Sequence, residues 1–271
     1  MPDARSSGKG GGQETTTAVW AAVLGLTPGE AWLRRDEPKP PAMVERFQAA
    51  LALLEGGAPF PYATGRTGFR SLDLKIDPRA LIPRPETEGL VDLALRHAHG
   101  GVAADIGTGC GCIALALATE GSFDRVIAVE RSTAAAALAR ENVAGVQPRT
   151  PVEIREGDLL QPLAGERCRV IVSNPPYLTE AEYEALAPSV RQFEPREALV
   201  SGGDGLAATR ALFAGAAALL EPAGVLVLEI DERRAEAVRA LAHEYRWARI
   251  GIHEDLFGRP RYALAFPRED A

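Results

Sequence analysis

From Val102 onward, short apolar runs take turns with segments of helical periodicity, and this alternation restricts the fold more than any other feature of the 271 residues. Strand-like runs stand at 102–106, 126–130, 152–155 and 169–173, with helical spacing over 113–118 and 133–144 between them. A second half continues with a helix over 206–220, a strand at 225–230, a helix over 233–245 and closing strands at 250–253 and 262–266. Strands that are apolar throughout, rather than alternately, suit a parallel sheet covered by helices on both faces. The expected fold class is therefore α/β, with a doubly wound, mostly parallel sheet.

Ahead of the sheet, residues 18–26 and 43–54 carry apolar side chains at helical spacing, separated by Pro38-Lys39-Pro40-Pro41. We expect a disordered leader over residues 1–17, a small helical domain over 18–67, and the main domain over 68–271, whose first part, 68–100, is a linking strand and helix segment. Within that link, Leu72-Asp73-Leu74-Lys75-Ile76 alternates as a strand does. No run is long and apolar enough to cross a bilayer, and the polar start has no apolar signal region, so cytoplasmic localisation is the expectation. Three cysteines, two of them in Cys110-Gly111-Cys112, make neither an even disulfide framework nor a paired metal knuckle, and no metal is expected. A net charge of -7 argues against a protein that wraps the phosphates of long nucleic acids.

In doubly wound sheets, ligands bind beyond the carboxyl ends of the strands, near the point where strand order reverses. Four such ends carry suitable chemistry here. The first runs into Asp105-Ile106-Gly107-Thr108-Gly109-Cys110-Gly111, where glycines permit a tight turn and close backbone approach before a helix. A dinucleotide fingerprint would want its third glycine where Cys112 stands, and no Gly-Lys-Ser/Thr follows for a phosphate loop, so the spacing fits an S-adenosyl-L-methionine turn better. Glu130 ends the second strand, placed to accept from ribose hydroxyls. Asp158 and Leu159 follow the third, suited to an adenine amino group and the purine face.

The fourth strand delivers Asn174-Pro175-Pro176-Tyr177. Two prolines fix the backbone and remove two N–H donors, so the turn offers carbonyl oxygens, an amide and an aromatic face. This is a cradle for a flat NH2 group. Hydrogen bonds to the Asn174 side-chain oxygen and the Pro175 carbonyl would hold such a nitrogen, with Tyr177 against the planar group and Pro176 completing the wall.

With these residues in view, the chain resembles the PrmC/HemK family, the glutamine amide methyltransferases that modify class I peptide-chain release factors. The resemblance rests on residues 81–88 (Leu-Ile-Pro-Arg-Pro-Glu-Thr-Glu), the Asp105 to Gly111 turn, Asn174 to Tyr177, and residues 193–199 followed by Gly202-Gly203-Asp204-Gly205. It implies a seven-stranded, Rossmann-like methyltransferase domain and a helical N-terminal domain that docks the release factor. It further implies S-adenosyl-L-methionine held by Gly107, Thr108, Gly109, Cys110, Gly111, Glu130, Asp158, Leu159 and Asn174. Substrate glutamine would lie on Asn174, Pro175, Pro176 and Tyr177, with catalysis assigned to Asn174, Pro175 and Tyr177. Glu86 and Glu88 take a positioning role near the cofactor on the same resemblance. The leader's Gly11-Gly12-Gln13 also resembles the Gly-Gly-Gln tripeptide that the family methylates.

The alternative is a DNA adenine or cytosine amino-methyltransferase, which shares Asn-Pro-Pro-Tyr. It would need a base-flipping groove and a target-recognition region, and neither the acidic balance nor the remaining length supports them.

Overall fold

The structure, a computed structural model, describes residues 10–268, with backbone alone for 10–14. Two compact units divide the chain, Met1–Arg66 and Thr67–Ala271. The first holds helices α1 (Gly10–Leu24), α2 (Pro28–Leu33), α3 (Pro41–Glu55) and α4 (Phe60–Thr64). Helix α1 starts inside the segment expected to be a leader, so residues 10–17, Gly11-Gly12-Gln13 among them, are helical backbone; residues 1–9 lie outside the described residues. Thr27 and Glu30 close a reciprocal capping box on α2, with Pro28 in its first turn. Val19, Val23 and Ala50 form a small buried cluster, and Trp20 stacks on Phe47 with ring centroids 4.1 Å apart.

A hairpin of β1 (Arg66–Phe69), whose first residue is the last of the smaller unit, and β2 (Leu72–Lys75) opens the larger unit, followed by α5 (Pro85–His97). Strand and helix next alternate through β3 (Val102–Ile106), α6 (Cys112–Glu120), β4 (Arg125–Glu130), α7 (Thr133–Val146), β5 (Val152–Glu156) and β6 (Cys168–Ser173). Two short helices follow, α8 (Glu180–Glu184) and α9 (Pro188–Phe193). The chain finishes with α10 (Ala207–Gly215), β7 (Leu220–Glu229), α11 (Ala235–Glu244), β8 (Arg249–Glu254) and β9 (Pro260–Phe266).

Seven strands form one sheet in the order β5-β4-β3-β6-β7-β9-β8. Pairings from β5 through β7 are parallel, and β9 runs antiparallel to both β7 and β8. Because β4 lies on one side of β3 and β6 on the other, the order reverses at β3, and the carboxyl ends of β3 and β6 flank the resulting crevice. Both central strands are buried on both faces, as their Val and Ile content requires. Seven consecutive residues of α6, Cys112 to Ala118, are buried as well, consistent with a helix that is apolar on every side.

Strand β7 begins earlier than its sequence pattern. Leu220 already pairs with Cys168, and Val225 pairs with Val170, so a tight excursion with Ala223 at φ +62° sits within the strand. The helical pattern expected to reach 220 ends instead in α10 and one short 3-10 turn over Ala216–Leu219.

Candidate active site

Strand β3 ends at Ile106, and Gly107, Gly109 and Gly111 all take left-handed backbone, at φ +73°, +57° and +89°. The turn is pinned from two directions. The amides of Gly107 and Thr108 both donate to the Val129 carbonyl, at 2.9 and 3.0 Å. Beneath them the buried Asp105 carboxyl accepts from the Thr108 hydroxyl at 2.6 Å and from the Ala114 amide, in the first turn of α6, at 3.0 Å. Burial pushes the Asp105 carboxyl up to about 7, against the pull of those two donors. Asn142, buried on α7, donates to the carbonyls of Cys110 and Lys75 and accepts from the Lys75 amide, which ties β2 to the same turn.

At the end of β4, Glu130 accepts from the Gly109 amide through Oε2 and from the Ser132 amide through Oε1, both at 2.9 Å. A carboxylate takes about four hydrogen bonds, so capacity for two hydroxyl donors remains. After β5, Gly157 stands at φ +155° where a Cβ would come within 2.5 Å of the Pro162 ring. Leu159, two residues on, is held at φ +45°, a costly conformation for a side-chain-bearing residue and one that clusters at ligand sites. Asp158 beside it is exposed.

At the end of β6, the Ser173 hydroxyl donates to the Ile106 carbonyl at 2.7 Å, joining the two strands at the reversal point. The chain then leaves the sheet at Asn174. Past the prolines, the amides of Tyr177 and Leu178 donate to the Leu199 carbonyl and the Ser201 amide donates back to Leu178, so the turn is fixed against residues 199–201. Gly205 closes this contact: at φ +73° a Cβ there would meet the Tyr177 carbonyl oxygen at 2.4 Å. The Asn174 Nδ2 donates to Thr87 Oγ1 at 3.1 Å, and the Thr87 hydroxyl donates to Glu229 Oε2 at 2.7 Å.

These strand ends share one cavity of about 680 Å3. That is ample for a nucleoside carrying an amino-acid chain. Gly107, Thr108, Gly109, Cys110, Glu130, Asp158, Leu159, Asn174 and Pro176 all line it. Gly111, Pro175 and Tyr177 stand outside the lining. Gly111 instead caps the start of α6 in left-handed backbone, a conformation that side-chain-bearing residues rarely adopt. Pro175 is buried, and burial together with nearby Glu229 pushes the Tyr177 phenol up to about 12.

Other parts of the wall come from residues 81–84, Thr87, Glu197 and Ser201. Arg84 donates to both oxygens of the buried Glu194 carboxylate, at 2.6 and 2.8 Å, linking the two blocks that precede α5 and follow α9. Glu86 and Glu88, expected near the cofactor, do not reach the lining: Glu88 accepts from the Arg70 amide at 2.8 Å, and the Glu86 carbonyl accepts from Tyr262 at 2.6 Å. Glu229 had no functional assignment from sequence. Its partnership with Thr87 spans 142 positions, and only the apolar strand before it hinted at burial.

The arrangement fits S-adenosyl-L-methionine. A side-chain-free cradle at Gly107 and Gly109, a carboxylate with spare acceptors at Glu130, and an apolar surface with an acid beside it at Leu159 and Asp158 match the donors and faces of that molecule. Comparison with known proteins agrees. The Methyltransferase small domain family matches residues 87–205. A release factor glutamine methyltransferase from Cereibacter sphaeroides is 40% identical over 245 residues, covering 90% of this chain and 87% of that protein. A protein of the same name from Xylella fastidiosa is 43% identical over 239 residues, 86% of each chain. Among solved structures, a methyltransferase from Pyrococcus furiosus superposes with a TM-score of 0.56 at 20% identity, over 81% of this chain and 96% of that one, a likeness of fold.

Proposed function

The chain belongs to the release factor glutamine methyltransferase family, and from that membership we propose which residues perform the transfer and on what. It is an S-adenosyl-L-methionine-dependent enzyme that methylates the side-chain amide nitrogen of glutamine in release factors. We assign the target to the Gly-Gly-Gln motif of class I release factors, which implies work in the cytoplasm, where those factors act, and no need to grip long nucleic acid. The described helices include none long and apolar enough to cross a membrane. A DNA amino-methyltransferase is disfavoured by relatives that act, by name, on release factors.

The observation that carries the assignment is the meeting of two turns: Gly107 to Cys110 and Asn174 with Pro176 line the same cavity at the reversal point of the sheet. Bound S-adenosyl-L-methionine supplies an electrophilic methyl group on a sulfonium. Gly107, Thr108 and Gly109 approach it with backbone, Glu130 accepts from its ribose, and Asp158 with Leu159 receives the adenine. Asn174 Oδ1 accepts from the substrate amide, holding its nitrogen in place, and Pro176 lines the cavity beside it, while Pro175 and Tyr177, outside the lining, hold the turn in shape from behind. An amide nitrogen is a weak nucleophile, so the contribution of these residues is position and a fixed polar surround. No side chain of the Asn174 to Tyr177 turn acts as a base, because the methylated nitrogen is acidic enough to release its proton to water.

Mass spectrometry of a class I release factor incubated with labelled S-adenosyl-L-methionine tests this directly. One added methyl on the Gly-Gly-Gln glutamine is expected, and an unmodified glutamine at full cofactor occupancy would refute the assignment. Asn174→Ala should lower kcat by about 10²-fold, the worth of one well-placed polar group. Asp158→Ala should chiefly weaken cofactor binding, so unchanged affinity by calorimetry would take Asp158 out of the site.

A further inference from the structure

Asn174 is useful to a substrate NH2 group only if its oxygen, and not its own NH2, faces the cavity. An amide side chain is nearly symmetric in shape, so packing alone does not choose between the two orientations. Its hydrogen-bond partners choose. Asn174 Nδ2 lies 3.1 Å from Thr87 Oγ1, and that hydroxyl lies 2.7 Å from Oε2 of Glu229. An ionised carboxylate accepts and cannot donate. Glu229 therefore draws the single Thr87 proton to itself and leaves the Thr87 oxygen to accept from Asn174.

We propose that Glu229 and Thr87 are positioning residues that set the polarity of the Asn174 amide, so that Oδ1 faces the cavity as an acceptor for the substrate amide. This rests on the reading of the site given above and deepens it. Both residues are placed for the task by the fold: Thr87 sits in the first turn of α5, and Glu229 is the last residue of β7, next in the sheet to the strand that delivers Asn174. Thr87 and Glu229 are each at most 3% exposed, so water does not compete for their hydrogen bonds. Thr87 also lines the cavity, whereas Glu229 acts only through it.

The chain of donors has a natural failure mode. A partner at position 229 that can donate to Thr87 would free the Thr87 proton for Asn174 and permit the reversed amide, with NH2 facing NH2 in the substrate. Protonation of Glu229 opens that route. Desolvation pushes its carboxyl up to about 7. The charged and titratable groups facing it are Arg84 and Glu86 at the start of α5, Arg261 and Tyr262 on β9, and Tyr177 beyond β6; the arginines favour ionisation and Glu86 opposes it.

The test uses the full-length enzyme, a class I release factor and three variants. Thr87→Val removes the relay, Thr87→Ser keeps it, and Glu229→Gln keeps the shape but can donate. We expect Thr87→Val to lower kcat about tenfold or more, with the cofactor dissociation constant within about twofold of wild type, and Thr87→Ser to restore most of the loss. Wild-type kcat should rise with pH through about 7, because ionised Glu229 is the form that fixes the amide, and Glu229→Gln should flatten that rise. Equal kcat in Thr87→Val and wild type, or a Thr87→Ser variant as impaired as Thr87→Val, would overturn the proposal.

Nuclear magnetic resonance of the Asn174 side-chain NH2 gives a reading independent of turnover. Protection from exchange in wild type that is lost in Thr87→Val supports the relay even if the glutamine assignment fails. An Asn174 NH2 signal indifferent to Thr87→Val overturns the relay even if glutamine is methylated.

Discussion

Asp105 is fully buried, and its carboxyl is pushed up to about 7 because desolvation outweighs the donors on Thr108 and Ala114. A native state that holds a proton which the unfolded chain has already released binds more protons over the window from about pH 4 to 7. Unfolding free energy from this group therefore falls as pH rises through that window and is flat above it. Asp105→Asn has no proton to lose. Relative to wild type it should gain more than about 1.4 kcal/mol in stability between pH 5 and pH 8, the free energy that accompanies a tenfold change in proton affinity. Urea denaturation at the two pH values reads this directly, and a gap between the proteins that does not change with pH would sink it. Such behaviour was invisible in the sequence, where Asp105 is only the acid before a glycine turn. The residues that were legible share one property: they follow strand ends, so strand order alone sends them to the crevice. Thr87 and Glu229 lack that marker. Their contact joins positions 142 apart through a hydroxyl with no distinctive pattern around it. Leu159 reaches the cavity from its place after β5, but its left-handed backbone, at φ +45°, has no marker in the sequence.

At the scale of elements, strands were the readable part because a parallel sheet buried on both faces demands uninterrupted Val, Ile and Ala. Helix α5 was harder, since its start lies in a proline-rich block that reads as a turn. Pro85 in the first turn is nonetheless compatible with a helix, where its missing N–H costs nothing. What fixes α5 against the sheet is tertiary: Tyr262 on β9 donates to the Glu86 carbonyl at 2.6 Å, and Gly89 leaves room for its ring. A Cβ at position 89 would stand 2.3 Å from the Tyr262 hydroxyl oxygen. Gly89→Ala should thus cost about 1–3 kcal/mol through overpacking, although alanine is the better helix former. Because Thr87 rides on the same turn, kcat should fall with it. Combining Gly89→Ala with Tyr262→Phe, which removes the colliding oxygen, should recover part of the stability lost to the first change. A double variant no more stable than the sum of its parts would show that the clash is not what Gly89 avoids.

At the scale of the molecule, every described residue that lines the cavity belongs to the larger unit, from Arg79 to Ala208, and none to Met1–Arg66. On the proposed assignment, cofactor binding and amide alignment fall to the larger unit. We propose that the helical unit serves recognition of the release factor, as the family resemblance implies. It has its own buried cluster and aromatic stack, so its contribution is a folded surface. Two substrates separate the roles. A short peptide carrying Gly-Gly-Gln presents the amide to the cavity and little else, whereas a whole release factor adds protein surface. A chain starting at Thr67 should bind S-adenosyl-L-methionine with an affinity within a fewfold of the full chain and methylate the peptide at a similar kcat/KM. On the intact release factor its kcat/KM should fall by about tenfold or more, with the loss in KM, since docking area that is indifferent to the chemical step lowers KM alone. If the shortened chain methylated the release factor as efficiently as the full one, the helical unit would have no part in docking. If it lost the peptide and the factor together while still binding cofactor, residues of the first unit would be needed for the chemistry itself, and the division of labour argued from the cavity lining would be wrong.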